Sequence, residues 1–119
     1  IHRINNIYYQ EDALWSETLG LAGRVDLIAE FDGVLSVIDF KTSKKIKTRE
    51  DIPEYFAQEC AYALMMEELT GIEVNQLVTL MAVENEREPL IFIEKTEDHI
   101  NNLLEHMEFY KRTENAKFY

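Results

Sequence analysis

Two periods organise the apolar residues of this chain. Between Ala22 and Thr42 they recur every second residue, the period of a strand, and from Pro53 onward the spacing becomes helical. The strand-like stretch is interrupted once, by Asp32-Gly33, the strongest short hairpin signal. It predicts one strand over 22–31, a two-residue turn, and a second strand over 34–42. The second strand is apolar on both alternating faces, with Val34, Ile38 and Phe40 on one and Leu35 and Val37 on the other. A strand of this kind belongs inside a sheet covered on both sides.

The flanking segments complete an α+β domain. Upstream, Ile4 to Gln10 reads as a short strand or lead-in, Glu11-Asp12 as a turn, and Trp15 to Leu21 as an edge strand feeding the hairpin. After a polar, basic connection over 42–52, Pro53 suits the first helical position, with Asp51 as a candidate cap and Glu54 favourable in the first turn. The helix runs to Leu69 and stops at Thr70-Gly71. Phe56, Cys60, Ala63 and Leu64 form its apolar stripe, which Tyr55, Tyr62, Met65 and Leu69 broaden. Asn75 to Val83 is again a strand, Glu84 to Pro89 a charged turn, and Leu90 to Ile93 a companion strand. Glu97 to Tyr110 closes the chain as an amphipathic helix before a fraying tail. The expectation is a mixed sheet of four or five strands, the hairpin at its centre, with the 53–69 helix on one face.

Composition narrows the class. At 119 residues the chain holds one domain, and at 46% apolar it can build a core. The single cysteine, Cys60, excludes an internal disulfide and suits a reducing cytoplasm. No apolar run approaches the ~20 residues of a membrane span, and no signal peptide is visible. Because Ile1 is not an initiator methionine, the chain reads as a fragment or a processed product. A net charge of −11 argues against a simple nucleic-acid coat. Yet five of the twelve basic residues, Lys41, Lys44, Lys45, Lys47 and Arg49, fall within nine positions. That run either contacts phosphates or is a solvated loop balancing acid elsewhere.

The chemistry begins where the central strand breaks its own pattern. Asp39 and Lys41 stand two residues apart and point the same way, and burying them costs several kcal/mol unless they are paired, hydrated or metal-bound. With Asp32 and Gly33 as the loop, Asp26 comes to lie opposite Asp39, and Arg24 opposite Lys41, unless a bulge shifts the register. Two bare carboxylates at about 5 Å repel by about 4 kcal/mol at an effective dielectric near 20. A divalent cation between them removes that cost, and hard oxygen ligands suit Mg²⁺ or Mn²⁺. On the helix, Gln58 and Tyr62 at i and i+4 share a face. Spacing alone leaves open whether they form a packed pair or a working one.

Together, Gly23-Arg24-Val25-Asp26, Asp39-Phe40-Lys41 and Gln58-Glu59-Cys60-Ala61-Tyr62 resemble the G-x-x-D, (D/E)-x-K and Q-x-x-x-Y motifs of PD-(D/E)XK nucleases. The likeness is to the RecB-like branch, which includes the mitochondrial genome maintenance exonuclease and similar phage exonucleases. It spans Gly23 to Tyr62 and continues more weakly to about Tyr110. A lone D-x-K is a weak signal, and three motifs in order are a strong one. The resemblance implies a restriction-endonuclease-like α+β fold and a Mg²⁺- or Mn²⁺-dependent nuclease that cuts single-stranded or end-processed DNA exonucleolytically. It implies that Asp26, Asp39 and the Phe40 carbonyl hold the metal, that Lys41 orients water or offsets phosphate charge, and that Gln58 and Tyr62 steady the site or the DNA. Lys44, Lys45 and Lys47 would guide the DNA backbone. The family's upstream helix and its histidine are expected to be missing, so no role passes to His2. Glu17 reads as a surface glutamate, and His99 and His106 as surface histidines without chemistry.

Two other readings stand beside the nuclease. One is a DNA- or partner-binding module that kept the fold but not the catalysis. The other is an unrelated α+β protein in which Lys41 and Asp39 are simply a buried ion pair.

Overall fold

Asp32 and Gly33 take positive φ angles of 52° and 81°, as a two-residue hairpin turn demands, and they fix the register of everything around them. The computed structural model describes residues 3–107. The turn joins β2 (Leu21–Phe31) to β3 (Val34–Ser43), with Phe31 facing Val34 and each pair back to Leu27 and Ile38 in the expected register. β1 (Ile4–Ser16) lies antiparallel on the outer side of β2, and β4 (Gln76–Val83) and β5 (Leu90–Lys95) extend the sheet beyond β3. The order is β1-β2-β3-β4-β5, so the hairpin is central.

β3 and β4 run parallel, and a parallel neighbour requires a crossover. The crossover is α1 (Pro53–Thr70), which lies on one face of the sheet and ends at Gly71 in the left-handed conformation, φ 77°. A second helix, over residues 100–107, continues a 3₁₀ turn at Thr96–His99 and packs beside it. The main core fills the space between helices and sheet, with Val25, Ile28, Val37 and Leu77 meeting Ala57, Cys60, Met66 and Leu103. A smaller core of Leu27, Ala29, Phe31, Ile38 and Val78 covers the opposite face. Among the described residues no helix is long and apolar enough to cross a membrane.

Four expectations need correction. Glu11-Asp12 is not a turn: β1 runs unbroken through it, absorbing positive φ angles at Asn6 and Glu11, and the turn comes later, over residues 17–20. Trp15 therefore ends β1 rather than starting a separate edge strand. β3 is not covered along its whole length, because burial spans Ser36 to Asp39 while Val34 and Phe40 stand 45% and 52% exposed. Asp51 does not cap α1; it closes a capping box with Thr48 around a 3₁₀ turn at Arg49–Asp51. The closing helix is described only to residue 107, so Tyr110 and the tail lie outside the described residues, as does His2.

Candidate active site

The ladder between β2 and β3 stops at Leu27–Ile38, one pair short of Asp26 and Asp39. The cause is local to β2. Val25 and Ile28 both pack towards α1, whereas strict two-residue alternation would put them on opposite faces. The strand thus slips its alternation across Asp26 and Leu27. The neighbouring strand is irregular at the same level: Gln10 faces Leu27 and Asp12 faces Val25, and Glu11 between them has φ 49°. The slip carries the Asp26 carboxylate into the widening gap, where its Oδ2 accepts the Phe40 N–H at 3.0 Å. A side chain has taken a place that a backbone carbonyl fills elsewhere in the ladder. Arg24 consequently has no paired partner on β3, so its expected juxtaposition with Lys41 is not formed as a ladder pair, and it stays exposed.

From β3, Asp39 and Lys41 follow Val37 at two-residue spacing and so face α1. The Lys41 Nζ lies 3.0 Å from Asp39 Oδ2, donates to Gln58 Oε1 at 3.3 Å, and sits 4.6 Å from the centre of the Tyr55 ring. Gln58 in turn donates from Nε2 to the Tyr62 hydroxyl at 3.4 Å. Tyr62 leans on Gly23: a Cβ there would come within 2.9 Å of the Tyr62 ring and hydroxyl. The glycine of the first motif is therefore a close-approach site for the tyrosine of the third. Asp26, Asp39, Lys41, Gln58 and Tyr62, spread over two strands and a helix, form one connected cluster.

The electrostatics separate the two acids. Burial opposes ionisation of Asp26, but hydrogen bonding with Asp39 and the Phe40 N–H, with the charge of Lys41, outweighs it and holds the carboxyl below its usual range. The Asp39 carboxyl is pushed up to about 6, by burial first and by its bond to Asp26, against the pull of Lys41. Desolvation works against the charge on Lys41, but Asp39 above all keeps it a firm ammonium, with Tyr55 and Asp26 adding to the effect. Lys41 is thus a donor of hydrogen bonds to Gln58.

Sequence reasoning missed Glu59. It is fully buried on α1, and its Oε2 bonds the Thr79 hydroxyl at 2.5 Å, while Oε1 has no partner. Thr79 is the β4 residue paired with Asp39, so a third carboxyl lies just behind the first two. Burial pushes it up to about 8, against the Thr79 bond and with help from the nearby Asp39 charge. The linear motif gave no hint, because Glu59 occupies one of its variable positions.

The remaining candidates scatter. Lys44 and Lys45 are exposed beyond the end of β3, Lys47 is half-buried near Asp51, and Arg49 is tied to Glu94. Glu17 is exposed, with its backbone N–H donating to Glu68. His99 is not a surface histidine: it pairs with Glu94 at 3.0 Å and packs on the Phe56 ring at 4.9 Å between centroids. His106 is half-buried, its Nδ1 2.8 Å from the Asn102 carbonyl.

The donor set fits a hard divalent cation. Asp39 Oδ2 is sealed from solvent with no donor in hydrogen-bonding geometry, despite its nearness to Lys41, and Asp26 offers a second carboxylate beside it. Among the described residues no three His, Cys, Asp or Glu side chains form a ready-made cage. That is the arrangement Mg²⁺ tolerates, since it keeps several waters and takes one or two carboxylates together with substrate phosphate.

Comparison with known proteins bears on the family and the fold. The model of the PD-(D/E)XK nuclease superfamily matches residues 4–117. Twelve chains of solved structures match as well. One is the crystal structure of a "Putative exonuclease" from Eubacterium rectale, with a TM-score of 0.59 at 18% identity. The match covers 88% of this chain and 43% of that one, so this chain spans less than half its length. No curated protein matches.

Proposed function

Because the chain belongs to the PD-(D/E)XK nuclease superfamily, we propose that it is a Mg²⁺- or Mn²⁺-dependent deoxyribonuclease of the RecB-like branch, acting as an exonuclease on single-stranded or frayed DNA ends. One observation carries the reading. Asp26, Asp39 and Lys41 converge with Gln58 and Tyr62 on the helix face of the central hairpin, although keeping two carboxyls and an ammonium there opposes burial. The superfamily's restriction-endonuclease-like fold accounts for the five-stranded mixed sheet and its crossover helix.

In this reading Asp26 and Asp39, with the Phe40 carbonyl, hold the metal. When bound, the metal supplies an activated water and polarises the scissile phosphate. Lys41, kept charged by Asp39, donates to the phosphate oxygen on which negative charge grows. Gln58 fixes the ammonium in place and transmits its position to Tyr62, which Gly23 allows close to the strand. Lys44, Lys45 and Lys47 meet the DNA backbone as it leaves the site.

The test is thermal unfolding and DNA degradation with and without MgCl₂ or MnCl₂. A cation that binds only the folded pair stabilises by about 2.7 kcal/mol at a hundredfold excess over its Kd. Asp39→Asn should lose most of that gain together with DNA hydrolysis. An equal metal-induced shift in Asp39→Asn would place the ion elsewhere. A protein that binds DNA but never shortens it would favour the binding-module reading.

A further inference from the structure

Next to Lys41 lies a cavity of about 370 Å³, between the start of β2, α1 and the helix over residues 100–107. Its size is in the range of small-ligand sites, about 300–1,000 Å³. Lys41, Glu54, Tyr55, Gln58, Tyr62 and His106 contribute its polar and aromatic lining, while Ala61, Met65 and Leu103 make much of the rest apolar. A cavity built this way takes a flat, largely apolar group with a polar edge.

The position of Lys41 selects the occupant. The same ammonium that pairs with Asp39 lines the cavity, so its occupant lies beside the cation that the nuclease reading sets against the substrate phosphate. A second phosphate would meet an apolar interior and the Glu54 carboxylate. A nucleobase satisfies both ends: its ring presents a face to aromatic and aliphatic side chains, and its edge can bond the Gln58 amide. Resting on the nuclease reading above, we infer that this cavity receives the unpaired base of the nucleotide at the DNA end, with its phosphate beside Lys41 and the cation that the Asp26–Asp39 pair would hold. A base lodged there has left its stack and its partner, so the cavity works on single strands and frayed ends, and not on closed duplex.

The four methionines supply the test. Met65 and Met107 line the cavity, whereas Met66 and Met81 are fully buried away from it. The full chain, labelled with ¹³C at the methionine methyls, is titrated with deoxyadenosine monophosphate and, separately, with 2-deoxyribose 5-phosphate. The nucleotide should move the Met65 and Met107 signals, leave Met66 and Met81 in place, and bind at least tenfold more tightly than the baseless sugar phosphate. Ala61→Phe, which fills the cavity, should abolish the shifts, and the comparison of the two ligands in the parent protein holds whether or not that variant folds. Equal binding of both ligands, or no shift at Met65 and Met107, overturns the inference. Cleavage assays with intact and abasic terminal nucleotides separate the two levels: failure to cut either DNA counts against the nuclease reading, while the methyl shifts decide the cavity without any turnover.

Discussion

The two ends of the central hairpin are built on opposite terms. From Leu27 to Ile38, through the turn, every residue of β2 has its ladder partner on β3, and Phe31, Ala29 and Ile38 are buried in apolar surroundings. Beyond Leu27 the ladder ends, a carboxylate takes over a backbone hydrogen bond, and Asp39, Lys41 and Glu59 bring charge or its potential into the interior. The turn end is ordinary and stable. The other end spends regular pairing to hold side chains in fixed positions, which is the usual trade at a site that does chemistry. Stability and activity should therefore be separable along a single hairpin.

The largest effect belongs to the regular end. Phe31→Ala empties a fully enclosed position and should cost about 3–5 kcal/mol in urea denaturation, with activity per folded molecule unchanged. At the irregular end the signs reverse. Lys41→Ala removes a partly buried ammonium, so the variant should fold and bind metal but lose turnover by about 10²-fold, equivalent to about 2.7 kcal/mol of barrier. If Lys41→Ala instead unfolded the protein with little loss of specific activity, the contrast would collapse and the residue would be a structural ion pair.

How much of this was legible in the sequence follows the same division. The turn end was readable because Asp32-Gly33 and two-residue alternation are local signals that the structure obeys. The mixed sheet, the central place of the hairpin and the helix on one face were expected too, whereas the pairing of β4 parallel to β3 was not specified. Asp26, Asp39, Lys41, Gln58 and Tyr62 were found by motif, and the structure draws them together. What escaped was long-range. The slip at Asp26 is accompanied by a positive φ at Glu11 on the neighbouring strand, and positive φ angles at Asn and Glu leave no mark on hydropathy. Glu59 escaped because an acid at a variable motif position carries no sign of burial, although it stands three residues from Phe56 and four from Ala63 of the apolar stripe. His99 escaped because Glu94 and Phe56, which hold it, come from other elements.

Glu59 offers a finer probe of the irregular end. Its folded-state value near 8 lies above the ordinary 4.5, so the folded protein keeps a proton that the unfolded chain has already lost. Stability attached to this group is intact below about pH 4.5, falls as pH rises towards 8, and levels off beyond. Between pH 6 and 7 the loss should be about 1.4 kcal/mol in metal-free buffer. Glu59→Gln keeps a partner for Thr79 without the titration, so its unfolding free energy should show less slope in that window. An identical slope in both proteins would assign the pH dependence to other groups.

The smallest effect concerns the basic segment that follows β3. Lys44 and Lys45 are exposed, whereas Arg49 is engaged by Glu94 and Lys47 lies near Asp51, so the five cations counted in the sequence are not equally available. A lysine that meets a single-strand phosphate contributes about 0.7 to the slope of log affinity against log salt. Replacing Lys44, Lys45 and Lys47 together by Ala should therefore flatten that slope by at most about 2, with the two exposed residues supplying most of it. Metal-induced stabilisation should stay as in the parent, because none of the three lies in the Asp26–Asp39–Lys41 cluster. Single variants rank the contributions: Lys47→Ala should flatten the slope least, since an acid already occupies its surroundings. A slope that does not change in the triple variant would make this segment a solvated loop, and would leave DNA binding to the irregular end of the hairpin alone.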